Sequence, residues 1–475
     1  MPSSAPVPPA QALPPLSLGT RLAFGAGDMG SGITANLLAF FLLPFLTNVA
    51  GLPPAIAGLI LLISNLWDAV IDPWIGLKSD RTRSRLGRRY PWMLLGVLPL
   101  GISFALQWWV PFSSEASLFA FYLAIALVFR SSYAAVSLPY AALTAELSRD
   151  YDERTSLNAF RFSFSLGGGI LALGIALALF STIAQPLEQY RWLGGITALL
   201  SMVPVLICVA GTWRRSRLMQ RHYPSPEISH SGGNPLKQFG LALANRPYRF
   251  ALGLFVCAWM AVQVTSSVTE YYVTLWMRLP RQDFTLLALV VQGTAILALP
   301  LWSRICDRLG KGSTFIAGAG LWLLADLGLL LLQPGQTGLM WCLAVLVGLG
   351  VSSAYLVPWS MVPDTIELDE LENGQRREGL FYSLMILAQK LGLALALFLV
   401  GQLLGLAGYR AGHGGEILTQ PDSALTAIRI AMAGLPALCL AGGIACARAY
   451  PLTRDRHAEV LLLLEERRRG LSAPG

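Results

Sequence analysis

Charge is what this sequence has least of. Only 13% of its 475 residues are Asp, Glu, Lys or Arg, where a soluble domain carries about a quarter. So few charges argue against a water-soluble fold. Histidine is nearly as scarce, with four residues and no pair at helical spacing, which argues against a zinc site. The six cysteines, Cys208, Cys257, Cys306, Cys342, Cys439 and Cys446, lie in or beside apolar stretches with no CxxC spacing. They read as small buried hydrophobes rather than disulfides or metal ligands. No Ser/His/Asp set and no phosphate-cradling glycine loop marks an enzyme. The run "SLGGG" at 165–169 falls inside an apolar segment and reads as close helix packing. The first 17 residues hold no cation and no apolar core, so they read as a disordered cytosolic tail and not a signal peptide. The net charge of +8 does not point to nucleic acid, because the cations sit in short loops between apolar runs, where membrane orientation accounts for them.

Hydrocarbon is what the sequence has most of, at 54% hydrophobic residues. Apolar segments fall near 20–47, 53–77, 91–111, 116–143, 157–182 and 190–213, then near 248–277, 283–303, 313–333, 338–363, 379–407 and 424–449. Each is long enough to cross roughly 30 Å of bilayer. The spacing predicts an all-α membrane protein of twelve helices: a six-helix bundle over 18–213, a connector over 214–247, a second bundle over 248–450 and an amphipathic tail over 451–475. The loop "SDRTRSRLGRRY" after span two holds five arginines, whereas the loops after spans one, three and nine hold no Lys or Arg. This bias places both termini and the connector in the cytoplasm, and hence the chain in a plasma (inner) membrane. A weak internal repeat relates the halves. Asp80-Arg81 after span two parallels Asp307-Arg308 after span eight, a candidate cytoplasmic gate motif, and Pro139 parallels Pro358. Two parallel six-helix repeats place a substrate site between the halves near midplane.

Charges inside the spans are expensive and mark that site. In "WDAVIDP", Asp68 and Asp72 lie on one helical face, about 6 Å apart along the axis. Two such carboxylates cannot both stay ionised and unpaired, so a proton or a cation must join them. Pro73 lacks an N–H and leaves the carbonyl of Ala69 free beside them, which suits a hard cation. Asp28, Arg130, Arg161, Glu270, Asp326 and Lys390 are the other intramembrane charges. Arg130, Arg161 and Lys390 are the cations available to pair with Asp28, Asp68, Asp72 and Glu270. No motif supports Arg130 or Asp326, which read as static buried groups. Tyr133 and Tyr355, beside the two proline motifs, can stack on a sugar ring.

The stretches "WDAVIDPWIGLKSDRTRSRLGRRYPW", "SLPYAAL" and "VPWSMVPDTIELDELENGQRREGLFYSLMILAQKLG" resemble the glycoside-pentoside-hexuronide:cation symporters of the major facilitator superfamily, the family of melibiose permease. The resemblance implies a secondary active transporter with the major facilitator fold, without enzymatic activity or a bound cofactor, which couples Na+ or H+ to symport of a sugar or glycoside. It implies a cation site at Asp68 and Asp72 (metal ligands if the ion is sodium), coupling through Lys390, and a substrate pocket including Arg161, Tyr133, Tyr355 and Lys390. Two departures follow from the same resemblance. Gly32 and Ser137 stand where the family's galactoside-binding carboxylates lie, with Asp28 one turn away as a replacement for the first, and Ala134 stands where the cation site has a hydroxyl. The expected partners are a small-molecule substrate and the lipid bilayer, and the expected state is a monomer. The missing carboxylates leave a lysolipid or other amphiphile as the alternative substrate. A non-transporting receptor or assembly factor is a further alternative, disfavoured because Asp68, Asp72 and Lys390 are all retained.

Overall fold

A computed structural model describes residues 15–148, 150–222, 235–374, 377–415 and 418–472. Twelve helices run in alternating directions: α1 (Leu18–Asn48), α2 (Pro54–Arg81), α3 (Tyr90–Leu106), α4 (Glu115–Leu147), α5 (Tyr151–Thr182), α6 (Pro186–His222), α7 (Arg246–Trp276), α8 (Arg281–Leu309), α9 (Lys311–Leu331), α10 (Thr337–Asn373), α11 (Glu378–Leu406) and α12 (Asp422–Ala449). Eleven of them are long and apolar enough to cross a membrane, and α3 is an apolar helix of 17 residues. A connector helix (Pro235–Ala244) and a tail helix (Arg454–Ser472) complete the chain.

Local chemistry sets the helix ends. The side chains of Ser17, Ser114, Asp150 and Asn245 accept from the backbone N–H three residues on, the N-cap arrangement that satisfies an orphan donor. Gly374 closes α10 with φ 69°, a left-handed turn that a side chain resists. Prolines 73, 99, 139, 204, 300, 358 and 363 lie within helices, as membrane helices tolerate. Leu297 and Leu406, more than 80% exposed, mark the lipid-facing surface.

Several expectations move. The stretch "RRSRLMQR", assigned to the connector, continues α6 as helix. The N-terminal tail is ordered by residue 16: Leu16 is buried and donates its N–H to Glu153 at 2.7 Å. Residues 1–14 and 223–234 lie outside the described residues. All six cysteines are free, but Cys342 is exposed rather than buried.

The first half packs α1 against α5 and α6 and α4 against α2 and α3; the second packs α7 against α11 and α12 and α10 against α8 and α9. The halves meet where α2 packs on α11, α5 on α8 and α1 on α7. The end away from the termini is closed. There Thr47 and Tyr271 share a 2.6 Å hydrogen bond, Tyr409 donates to Asn48, and the backbone N–H groups of Gly412, Gly414 and Gly415 donate to the carbonyls of Thr47, Val49 and Asn48. Gly58 and Gly401 let α2 and α11 touch backbone to backbone.

Glycine has the same role inside the first half. A Cβ on Gly32 would lie 1.8 Å from the carbonyl oxygen of Ser165, and one on Gly168 would lie 2.4 Å from that of Met29. "SLGGG" therefore lets α5 press directly on α1. Gly32→Ala should lower stability by about 1–3 kcal/mol, the usual cost of overpacking. Gly320→Ala, with nothing within 4 Å, should change it by no more than about 1 kcal/mol. Thermal unfolding of the two detergent-solubilised variants beside wild type checks this.

Candidate functional site

α1 is broken at Gly27 and Asp28. Gly27 sits where a Cβ would meet the Tyr140 ring at 2.6 Å. Tyr140 donates its hydroxyl at 2.8 Å to the carbonyl of Phe24, which also accepts from the Gly27 N–H at 3.0 Å, so α4 is tied to the break. Asp28, 6% exposed, accepts from Arg161 Nε of α5 at 3.0 Å, and that guanidinium also lies 5.4 Å from the Tyr140 ring. Interrupted membrane helices mark binding sites, because their freed backbone needs polar partners. The break itself left no trace in hydropathy; the glycines around Asp28 were the only local sign.

The carboxylates of "WDAVIDP" project from α2 near midspan, and α2 continues as helix through Pro73. Trp67 donates to Ser131 of α4 at 2.9 Å, and Ile75 packs on Ala134 and Ala135, so α4 fixes the rotation of α2. From α11, across the interface between halves, Lys390 Nζ lies 3.2 Å from Asp68 and bonds Asp72. From α4, Arg130 Nη1 donates to Asp68 at 3.4 Å. Arg130 thus belongs to the same cluster, a role that no motif supported. Two carboxylates and two cations occupy one place, and Asp68, only 4% exposed, is held by both cations. Asp72, Lys390 and Arg161 keep 22–27% of their side-chain surface.

Tyr133 and Ser137 line one cavity with Ser31, Thr34 and Tyr140, close to Asp28. Tyr355 does not join them. It faces Trp259 at 6.1 Å between ring centroids and lines a separate cavity inside the second half. That cavity is bounded mostly by apolar groups, including Val262, Leu287, Val291, Met340 and Met432, and reaches Phe40 of α1. Trp259 was not singled out in the sequence, where nothing separates it from the other tryptophans.

The proposed gate motif divides. Asp80 pairs with Arg89, which also donates to Ser79 at 2.9 Å and contacts Glu146 at 3.3 Å. Arg81 and Arg308 are exposed, and Asp307 contributes its carbonyl to Arg454. The paired cations at this end include the buried Arg89 and the half-buried Lys311, whose Nζ lies 2.6 Å from Asp364. The signature after α10 builds the adjoining turn: Arg377 forks onto Asp369 at 2.6 and 2.9 Å. His457 of the tail helix reaches Glu367 at 2.6 Å and Asp364 at 3.6 Å. Asp364 and Glu367 lie one turn apart on α10, and His457 joins them from 90 residues further along, too far for spacing to show.

Glu270 also pairs differently from expectation. Its partner is Arg281, at 3.3 Å, and Tyr190 of the first half donates to it at 3.1 Å, so the fully buried carboxylate helps close the far end. Asp326, 1% exposed in α9, forms no ion pair among the described residues.

Glu270→Gln or Arg281→Gln alone should each cost about 3–5 kcal/mol, because either leaves a buried charge unpaired. The double substitution should cost less than their sum by about 1–3 kcal/mol. A double-mutant cycle by thermal unfolding gives that difference directly.

The sequence profile described as "MFS/sugar transport protein" matches residues 23–454. The chain is 41% identical to an uncharacterized symporter, sll1374, of Synechocystis, over 94% of this chain and 96% of that one. It is 28% identical to the putative glycoside/cation symporter YagG of Escherichia coli, over 93% of each. It is 25% identical to the sodium-dependent lysophosphatidylcholine symporter 1 of Xenopus tropicalis, over 96% of this chain and 91% of that one. A crystal structure of a bacterial homologue of the iron transporter ferroportin in an inward-facing state superposes with a TM-score of 0.62 at 14% identity, over 91% of this chain and 100% of that one, which shows the shared fold.

Proposed function

Because the chain belongs to the MFS/sugar transport family, as a cation-coupled symporter of the major facilitator fold, we propose that it moves a sugar or glycoside across the membrane with sodium, bound at Asp68 and Asp72. The observation that carries this reading is Lys390. It ties α11 of one half to both carboxylates of α2 in the other. A sodium ion entering between the carboxylates, beside the Ala69 carbonyl, competes with the lysine for them. Sodium binding therefore loosens a link between the halves at midspan and frees them to rock about the substrate. Asp28, Arg161, Tyr133 and Ser137 hold the polar part of the substrate, and Tyr355 with Trp259 supplies an aromatic wall. One charge moving inward gains about 2.3 kcal/mol per 100 mV, enough for roughly fifty-fold accumulation.

An amphiphilic substrate is the second reading. The lining of the cavity beside Tyr355 favours it, since it is mostly apolar and suits an acyl chain or aglycone better than a free sugar. In both readings the termini and the arginine-rich loop 79–90 face the cytoplasm of a cell with an inner membrane.

Asp72→Asn should abolish sodium-stimulated accumulation in vesicles, and Asp68→Asn should weaken it strongly, while substrate exchange persists. Lys390→Ala should impair coupling more than folding. Uptake under an imposed sodium gradient, with a pH gradient alongside, is the measurement. Undiminished accumulation by the double Asn variant would reduce the pair to scaffolding, and accumulation driven by pH alone would replace sodium with a proton. A cysteine placed within 79–90 should resist membrane-impermeant reagents added outside intact cells; ready labelling there reverses the orientation.

A further inference from the structure

Where the second half meets the tail helix, carboxylates outnumber the cations paired with them. Asp364 and Glu367 stand on α10, and His457 of the tail helix lies 2.6 Å from Glu367 and 3.6 Å from Asp364. Among the described residues, Lys311 is the one Lys or Arg that pairs with either carboxylate. At the matching end of the first half, Asp80 and Glu146 share two arginines, Arg88 and Arg89. With its imidazole neutral, the form that binds a metal, the second-half group carries one net negative charge. It is also sheltered, since the Asp364 side chain is only 8% exposed. Arg308, Arg448 and Arg454 line the cavity beside it, but they are exposed and pair with neither carboxylate among the described residues. Tyr450 lines the same cavity; it is 9% exposed, and its hydroxyl has no partner among the described residues. Burial, and after it the Asp364 carboxylate, push this phenol up, so it stays a neutral hydroxyl.

We propose that Asp364, Glu367 and His457 bind a divalent transition-metal ion such as Zn2+, which fastens the tail helix to α10. The site is separate from the Asp68 cluster and stands independently of the coupling reading. One imidazole nitrogen with two carboxylate oxygens suits zinc, manganese or iron(II), whereas calcium and magnesium take oxygen ligands. One such atom from each residue lies within 4.8 Å of the other two. Tetrahedral ligands held 2.0–2.2 Å from zinc stand roughly 3.3–3.5 Å from one another. The 3.6 Å between His457 and Asp364 is already close to that spacing. Glu367 has to retreat by less than about 1 Å, and its side chain, 23% exposed, has room to do so. Lys311 does not block the site. Its Nζ lies 2.6 Å from each Asp364 oxygen and donates to the Ser360 carbonyl at 2.6 Å. Each carboxylate oxygen has a second lone pair, so the ammonium orients the ligand while the metal takes the other pair. The remaining position opens on the cavity, where water completes the shell and the Tyr450 hydroxyl is a partner for it. The ion supplies the counter-charge that Lys311 alone does not.

The test treats purified full-length protein with a chelator, then titrates it with Zn2+ by calorimetry and with Co2+ by absorption. One ion per chain should bind. His457→Ala and Glu367→Gln should each weaken it at least tenfold, since even the outer partners of a metal matter on that scale. Cobalt should give visible ligand-field bands without the near-ultraviolet band of a thiolate, because Cys306, which also lines the cavity, is not a ligand. Cys306→Ser should therefore bind as the wild type does. At ten times its dissociation constant, Zn2+ should slow tryptic cleavage at Arg454 and Arg456, exposed on the tail helix, by about tenfold. The same addition should leave cleavage of His457→Ala unchanged. A wild type that binds neither ion overturns the proposal whether or not the variants fold. So does binding that survives His457→Ala or is lost in Cys306→Ser. Binding that leaves tail cleavage unchanged overturns the fastening of the tail.

Discussion

Everything at the centre of this protein depends on the cost of placing two carboxylates four residues apart in hydrocarbon. Asp68 and Asp72 repel each other in a low dielectric. The fold answers with Lys390 from the opposite half and Arg130 from the adjacent helix. Neither cation reaches them by accident of length. Trp67 anchors α2 to Ser131, Ile75 seats it on two alanines, and paired glycines bring α2 against α11. The ionic cluster is therefore where cations and carboxylates of the two bundles meet, while at the far end the bundles are joined by hydrogen bonds, one of them from Tyr190 to Glu270, and by glycine contacts.

That division of labour matters for movement. The far end is held by Thr47 with Tyr271, Tyr409 with Asn48, and backbone donors from 412–415, bonds that can each be exchanged for water. The midspan tie has no such substitute. It can be released only by another charge, which is the condition for linking an ion to a conformational change.

What could be read from residues alone followed the physics of cost. Asp68, Asp72, Lys390, Asp28 and Arg161 stood out because an ionisable group in a membrane helix is expensive wherever it points, and twelve apolar runs announce themselves by length. Partner choice was less legible. Arg130 was visible as a charge, but spacing within one helix says nothing of which neighbour it faces, and Glu270 found Arg281 from a helix end that had not been counted as intramembrane. The gate motif misled for a related reason. The repeat aligned Asp-Arg dipeptides by likeness, whereas the cations that pair with carboxylates, Arg89 and Lys311, lie at the start of the following helices. The break in α1 escaped because two residues of turn do not change a hydropathy average, and His457 because a tail contact spans 90 residues of sequence.

The contact between Gly32 and Ser165 has a consequence for how this branch of the family can change. Installing an acidic side chain at position 32 is not one mutational step away, because the carbonyl of α5 already occupies the space where its Cβ would stand. The substitution would pay off only after α5 had withdrawn, and α5 gains nothing by withdrawing first. Such sign-dependent pairs trap lineages. A laboratory that wishes to graft sugar-carboxylate recognition onto this scaffold has an open route at Ser137, which borders a cavity, and a closed one on the opposite wall.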